Sequence, residues 1–172
     1  FCPYLENDMR NERGYKQAKE ELLQVAETLT PLGFRVGYHN HDFEFETAIQ
    51  DKYALDYILE PKGNYFLYPE IDTYWVKKSG IDPLSYIKKY IGRTPYLHLK
   101  DMSNDGLEIF TEIGHGSIDF QSIITWGYKN GVEWYVVEQD ECKGKPMESL
   151  KESLRNLKEY EEKIYSDFSE KY

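Results

Sequence analysis

Four runs of strand character in this chain end in polar clusters: Tyr38-His39-Asn40-His41, Glu70-Ile71-Asp72, His98-Leu99-Lys100-Asp101 and Val137-Glu138-Gln139-Asp140. Imidazoles and carboxylates are the side chains that hold a divalent cation and move protons near neutral pH. Side chains alternate along a strand, so His39 shares a face with His41, Asp72 with Tyr74, His98 with Lys100, and Glu138 with Asp140. If those faces turn to one centre, Asp72, His98 and Glu138 converge from three successive strands. Carboxylates mixed with one imidazole suit Mn²⁺, Co²⁺, Mg²⁺ or Zn²⁺. Taken singly, each residue also has a structural reading, as a helix cap or a satisfied core histidine. Repetition at four strand ends is what raises the chemical one.

The chemistry such a site supports is proton transfer next to a carbonyl. Breaking that C–H bond needs a base in hydrogen-bond reach, and the resulting enediolate needs a positive charge beside its oxygen. Glu138 or a histidine, His39 or His41, is positioned to move the proton. Lys100 either steadies the enediolate or a substrate hydroxyl, or pairs inward with a neighbouring carboxylate. Asp101 and Asp140 are expected to orient ligand side chains. Trp75 is expected to pack under the next helix, because its strand parity opposes that of Asp72. The glycine-rich stretch 112–117, which carries His115, is a candidate flap over the site.

These clusters need elements to position them. Residues 11–30 read as a helix, with Tyr15, Ala18, Leu22, Ala26 and Leu29 at spacings of three and four. Pro31 and Gly33 end it. Residues 34–41 read as a strand, with Gly37 small enough for close approach inside a barrel. A weaker helix follows over 50–60, then a strand over 65–72. Asp82-Pro83 caps a helix closed by Gly92, and 95–100 is a third strand. Residues 103–118 read as a long loop. Asp119 caps a helix ending at Gly131, 133–140 is the fourth strand, and Pro146 opens a last helix with Met147, Leu150, Leu154, Leu157 and Ile164 on one face. Its acidic end, 159–172, reads as a solvated extension with a frayed tail. Phe1 to Leu5 resembles the tail of an earlier strand. Strict alternation of strand and helix predicts an α/β fold, a parallel sheet with covering helices, in one domain over 1–172.

Composition narrows the partners. Twenty-one basic against 31 acidic residues leave a net charge of −10. Such a surface repels phosphate backbones, so nucleic acid is not an expected partner. No apolar run approaches the roughly 18 residues of a membrane span, and the two cysteines form no metal or redox motif, so a reduced, cytoplasmic protein is expected. Aromatics make up 16 % of the chain, a bias first explained by packing and second by stacking on sugar faces.

The blocks Tyr38-His39-Asn40-His41-Asp42-Phe43-Glu44-Phe45, Glu70-Ile71-Asp72-Thr73-Tyr74-Trp75-Val76, Leu97-His98-Leu99-Lys100-Asp101, Glu112 to Phe120 and Val137-Glu138-Gln139-Asp140 resemble, in order and spacing, those of the sugar phosphate isomerase/epimerase family. That family belongs to the xylose isomerase-like TIM-barrel superfamily, with tagatose/psicose epimerases, inosose dehydratases and endonuclease IV. The resemblance runs from about Gly33 to the end. It implies a (β/α)8 barrel of which this chain covers the tail of strand four and strands five to eight, without the first half-barrel. It also implies a divalent metal held by Glu, Asp, His and Glu, with Asp72, His98 and Glu138 matching the last three. Where the epimerases carry the first Glu, this chain reads His39-Asn40-His41; Glu44 is the candidate fourth ligand and His41 the alternative. Glu44, Glu138 and His41 are then the candidate catalytic groups, and His39 and Lys100 the substrate-binding ones. The implied activity is sugar isomerisation or epimerisation through an enediolate, on a small carbohydrate. The alternatives are a dehydratase or lyase acting on inososes or 3-keto sugars, and a non-catalytic carbohydrate-binding barrel. A nuclease is disfavoured by the charge. Half a barrel leaves open sheet edges, so self-association, a homo-oligomer, is expected.

Overall fold

The structure, a computed structural model, describes residues 1–169; the last three residues of the extension expected over 159–172 lie outside them. Its centre is a four-stranded parallel sheet of β1 (Gly37–His39), β4 (Tyr68–Asp72), β5 (Tyr96–Leu99) and β8 (Trp134–Val137), side by side in that order. Two antiparallel hairpins flank it: β2 (Ala48–Ile49) with β3 (Lys52–Tyr53), and β6 (Asp101–Met102) with β7 (Phe110–Thr111). The helices are α1 (Glu12–Leu29), α2 (Phe43–Glu46), α3 (Ala54–Leu59), α4 (Thr73–Lys78), α5 (Pro83–Lys88), α6 (Phe120–Asn130) and α7 (Pro146–Ser169). On the outer side of β1, Cys2 bridges Tyr38 in parallel: its N–H bonds the Gly37 carbonyl and its own carbonyl accepts the His39 N–H, both at 2.9 Å. The Phe1–Leu5 segment thus enters the sheet as a strand tail. Among the described residues no helix is long and apolar enough to cross a membrane.

Local chemistry explains most boundaries. The side chains of Asn11, Asp82 and Asp119 accept N–H groups from the first turns of α1, α5 and α6, satisfying donors that a helix start leaves orphaned. Gly131 closes α6 with φ 80°, a left-handed cap that glycine adopts without a Cβ clash. A Cβ on Gly37 would come within 3.1 Å of the Tyr68 carbonyl oxygen, so the expected close approach inside the sheet is present.

Three expectations change. The helix read over 50–60 begins only at Ala54. Before it, Gln50 and Asp51, with φ of 52° and 60°, turn a tight hairpin, the mirror-image turn that suits the twist of its strands. The long loop 103–118 is anchored by the β6–β7 hairpin. And α4 starts directly at Thr73, because Asp72 ends its strand and caps that helix at once.

The sheet has two unlike faces. Tyr38, Ile71, Leu97 and Leu99 are buried and share a core with Tyr15, Leu55, Ile58, Ile87, Phe120 and Ile123 from the helices. On the other face the register aligns His39, Glu70, Tyr96 and Trp134 in one row and Asp72, His98 and Val136 in the next. This face is polar toward the C-terminal ends of the strands. Toward the other end it is an open hollow lined by Phe1, Arg35, Gly37, Tyr96, Trp134 and Val136, in which Trp134 is 63 % exposed. That is the interior of a partial (β/α) barrel, curved around a centre the chain does not close by itself.

Candidate metal centre

The polar end of that face gathers His39, Asp72, His98 and Glu138. One ligand atom from each lies within 4.8 Å of those of the others. The three residues expected from parity therefore converge. His98 Nδ1 stands 3.2 Å from Glu138 Oε2 and 3.9 Å from Asp72 Oδ2, and His39 Nε2 is 3.8 Å from the same Asp72 oxygen.

Asp72 serves two purposes with its two oxygens. Oδ1 accepts the N–H groups of Tyr74 and Trp75 at 2.9 and 3.4 Å, capping α4. Oδ2 is buried, makes no hydrogen bond and points into the cluster. The cap reading and the ligand reading of a strand-end aspartate thus hold together. The helix orients the carboxylate through Oδ1, and Oδ2, with Lys100 Nζ 3.3 Å away, is the oxygen that faces the cluster. His98 Nδ1 is likewise buried without an aligned hydrogen bond. Both atoms have charged neighbours, Lys100 at 3.3 Å and Glu138 at 3.2 Å, but neither makes an aligned hydrogen bond, a lack that costs free energy and that a bound cation would make good. The donor set, two imidazoles with two carboxylates, fits such an ion.

The fourth place is taken by His39, neither by Glu44 nor by His41. The reason is local. β1 stops at His39 and the chain turns at once into α2, which carries Glu44 back beneath the strand. Its carboxylate there accepts the Tyr38 hydroxyl at 2.8 Å and the His41 N–H at 2.7 Å. Burial pushes the Glu44 carboxyl up to about 7, against those two hydrogen bonds. His41 lies beyond the strand, stacked on Phe43 at 5.2 Å and 5.1 Å from the Trp75 ring.

Lys100 is nearly fully buried beside the cluster. Its Nζ donates to both Asp140 oxygens at 3.1 and 3.2 Å, and lies 2.9 Å from Glu138 Oε2 and 3.3 Å from Asp72 Oδ2. Burial alone would lower its pKa, but these carboxylates hold it above the usual lysine value. The expected inward pairing is therefore present and does not exclude substrate contact. Asp140 joins the site through Lys100. Asp101 does not: its carboxylate accepts the N–H groups of Gly114, Gly116, Met102 and Ile118, pinning the glycine-rich stretch. His115 pairs with Glu152 of α7 at 3.2 Å, outside the cluster. Trp75 lies at the site's wall, with Lys100 Nζ 5.5 Å from its ring. Strand parity stops applying to it because the chain is already helical at Thr73.

The charges divide the two histidines. Burial lowers His39 to about 3, helped by His98 and His41, so it is neutral. Burial also opposes a charge on His98, but the Asp72 and Glu138 carboxylates outweigh it and raise that imidazole to about 9. Glu138 is held down at about 2, first by His98 and then, against some burial, by Lys100. One further residue, Glu70, shares the face two positions before Asp72, with Oε1 3.6 Å from His98 Nε2. Strand parity could have found it.

No family model matches the chain. It is 29 % identical over 167 residues to an inosose dehydratase of Clostridium tetani, covering 82 % of this chain and 55 % of that protein. An inosose dehydratase of Salmonella typhimurium is 24 % identical, over 92 % of this chain and 58 % of the relative. The chain thus spans little more than half the length of the curated relatives it matches. Among solved structures, a sugar phosphate isomerase/epimerase from Parabacteroides distasonis superposes with a TM-score of 0.69 at 26 % identity, over 88 % of this chain and 54 % of that one. A D-tagatose 3-epimerase-like protein superposes with a TM-score of 0.68 at 16 % identity, covering 98 % and 61 %, a likeness of fold. The chain therefore has the α/β architecture of a partial (β/α) barrel and is similar to sugar phosphate isomerase/epimerases and inosose dehydratases.

Proposed function

We propose that the protein is a divalent-metal-dependent enzyme that dehydrates a small polyhydroxylated ketone of the inosose kind. The observation that carries this is the convergence of His39, Asp72, His98 and Glu138 beside the buried Lys100. A divalent ion held by those four, Mn²⁺, Co²⁺, Mg²⁺ or Zn²⁺, supplies positive charge to the substrate's carbonyl and neighbouring hydroxyl oxygens.

The chain's own residues account for the protons. His41 is neutral, because burial lowers its pKa, and so has a free base to take the proton from the carbon next to the carbonyl. Glu138, held at about 2, is a weaker base. Lys100 keeps its ammonium and donates a proton to the departing β-hydroxyl. The C–H and C–O bonds break, a C=C bond conjugated to the carbonyl forms, and one water leaves; His41 gains a proton, Lys100 loses one, and solvent restores both. His39 and Trp75 line the substrate's side of the site. The resemblance to the epimerases implies, for that reaction, two metal-bound glutamates on opposite faces of the substrate. Here the cluster has one, Glu138, which favours elimination over epimerisation.

The test is incubation of the Mn²⁺-loaded protein with a panel of keto-cyclitols and keto-sugars in D₂O. The expected result is water loss, read as an ultraviolet-absorbing conjugated product. Deuterium at the carbon next to the carbonyl with an epimer and no water loss would replace the dehydratase by an isomerase. Binding with no exchange and no product would leave a carbohydrate-binding barrel. The proposal extends to the assembly: residues 1–172 act as one portion of a closed barrel, and these residues by themselves associate with further copies.

A further inference from the structure

Glu70 is a buried carboxylate that the proposed reaction does not use. It lies on β4, two residues before Asp72 and on the same face, aligned with His39 on one side and Tyr96 on the other. Its Oε1 is 3.6 Å from His98 Nε2, and its Oε2 is buried with no hydrogen-bond partner. The two nitrogens of His98 are therefore divided: Nδ1 faces Glu138 and Asp72, and Nε2 faces Glu70.

We infer that Glu70 is a positioning residue that receives the Nε2–H of His98 and so presents the Nδ1 lone pair to the metal. The inference rests on the metal reading above. A neutral imidazole has one proton for two nitrogens, so an acceptor at Nε2 decides which nitrogen is free to ligate. A carboxylate behind a ligating histidine also raises its basicity and fixes its ring. The present 3.6 Å is longer than a hydrogen bond, so the inference requires the Glu70 side chain to move closer when the ion is bound. The geometry also explains why a strand would bury an unpaired carboxylate oxygen: one strand, β4, supplies both a ligand, Asp72, and the group that aims a second ligand from the neighbouring strand.

The test compares wild type with Glu70→Leu and Glu70→Gln. Zn²⁺ affinity is measured by competition with a chromophoric chelator, and the Zn²⁺-loaded proteins are read by ¹H–¹⁵N imidazole correlation spectra. Glu70→Leu should bind Zn²⁺ about 10–100-fold more weakly. Glu70→Gln, which still accepts a hydrogen bond but carries no charge, should lose less. His98 should carry its proton on Nε2 in wild type and Glu70→Gln. The metal-free Glu70→Leu protein should unfold no more easily than wild type, which separates positioning from a merely structural role. Equal affinity in wild type and Glu70→Leu, or a proton on Nδ1 in the loaded wild type, would overturn the inference alone. A wild type that takes up no Zn²⁺ would overturn the metal reading and this inference with it.

Discussion

Asn40 Oδ1 accepts the backbone N–H of Asp72 at 2.9 Å, and both residues are fully buried. β1 has ended at His39, so the donor of Asp72 has no strand carbonyl to meet. The amide side chain of Asn40 takes the place of one more ladder bond. It thereby ties the end of the strand that carries His39 to the end of the strand that carries Asp72. Thr73 does the same one strand further on, its hydroxyl accepting the Lys100 N–H at 3.1 Å. The strand ends that carry the candidate ligands are thus tied by backbone N–H groups bonded to neighbouring side chains.

Replacing Asn40 with Leu should therefore cost about 1–3 kcal/mol, the penalty for leaving a buried donor unmet. Urea denaturation of the metal-free protein measures it. A loss under about 0.5 kcal/mol would mean that water or another acceptor reaches the Asp72 N–H.

Asp72→Asn separates the two uses of that side chain. The amide oxygen keeps the cap on α4, while the charge at the position of Oδ2 is gone. Metal affinity should fall at least about tenfold, equivalent to about 1.4 kcal/mol, with an unchanged circular dichroism spectrum. His98→Ala should lose the ion as well, and an unchanged metal content in that variant would exclude the site.

Glu44 makes stability depend on pH. Its carboxyl is raised from 4.5 to about 7 by burial, so the native state binds the proton more tightly than the unfolded chain. The stabilisation from this proton is complete below pH 4.5 and is lost as pH rises through about 7. At roughly 1.4 kcal/mol per unit, the whole effect is about 3 kcal/mol. Glu44→Gln, an uncharged isostere whose amide oxygen still accepts a hydrogen bond at a site that receives the Tyr38 hydroxyl and the His41 N–H, removes it. Urea midpoints between pH 5 and 8 should fall for wild type relative to this variant, and parallel profiles would contradict the assignment.

The open inner face predicts association. Phe1 and Trp134 are 68 % and 63 % exposed there, and among the described residues the outer edge of β8 has no strand beside it, which makes it an open template. Light scattering of residues 1–172 alone should show species larger than 20.4 kDa. A stable monomer across the micromolar range would count against it.

Periodicity carried most of the architecture. The stripe of α1, the Asp82-Pro83 and Asp119 caps, the glycine stops and the alternation of strand and helix were all legible, because each depends on neighbours within a few residues. Parity along strands was enough to group Asp72, His98 and Glu138. Helix α4 and hairpin β2–β3 were not legible, because a single side chain at Asp72 and two left-handed turn residues decide them. The fourth member of the cluster was beyond sequence for a different reason. Whether His39, His41 or Glu44 faces the centre depends on the residue at which β1 ends and on how α2 folds back, and both follow from contacts with Tyr38 and with the neighbouring strand. Residue types and order thus determined that a cation site is possible and on which strands. The tertiary structure decided which side chains complete it, because only the register of the strands brings His39 beside Asp72 and turns Glu44 away into the core.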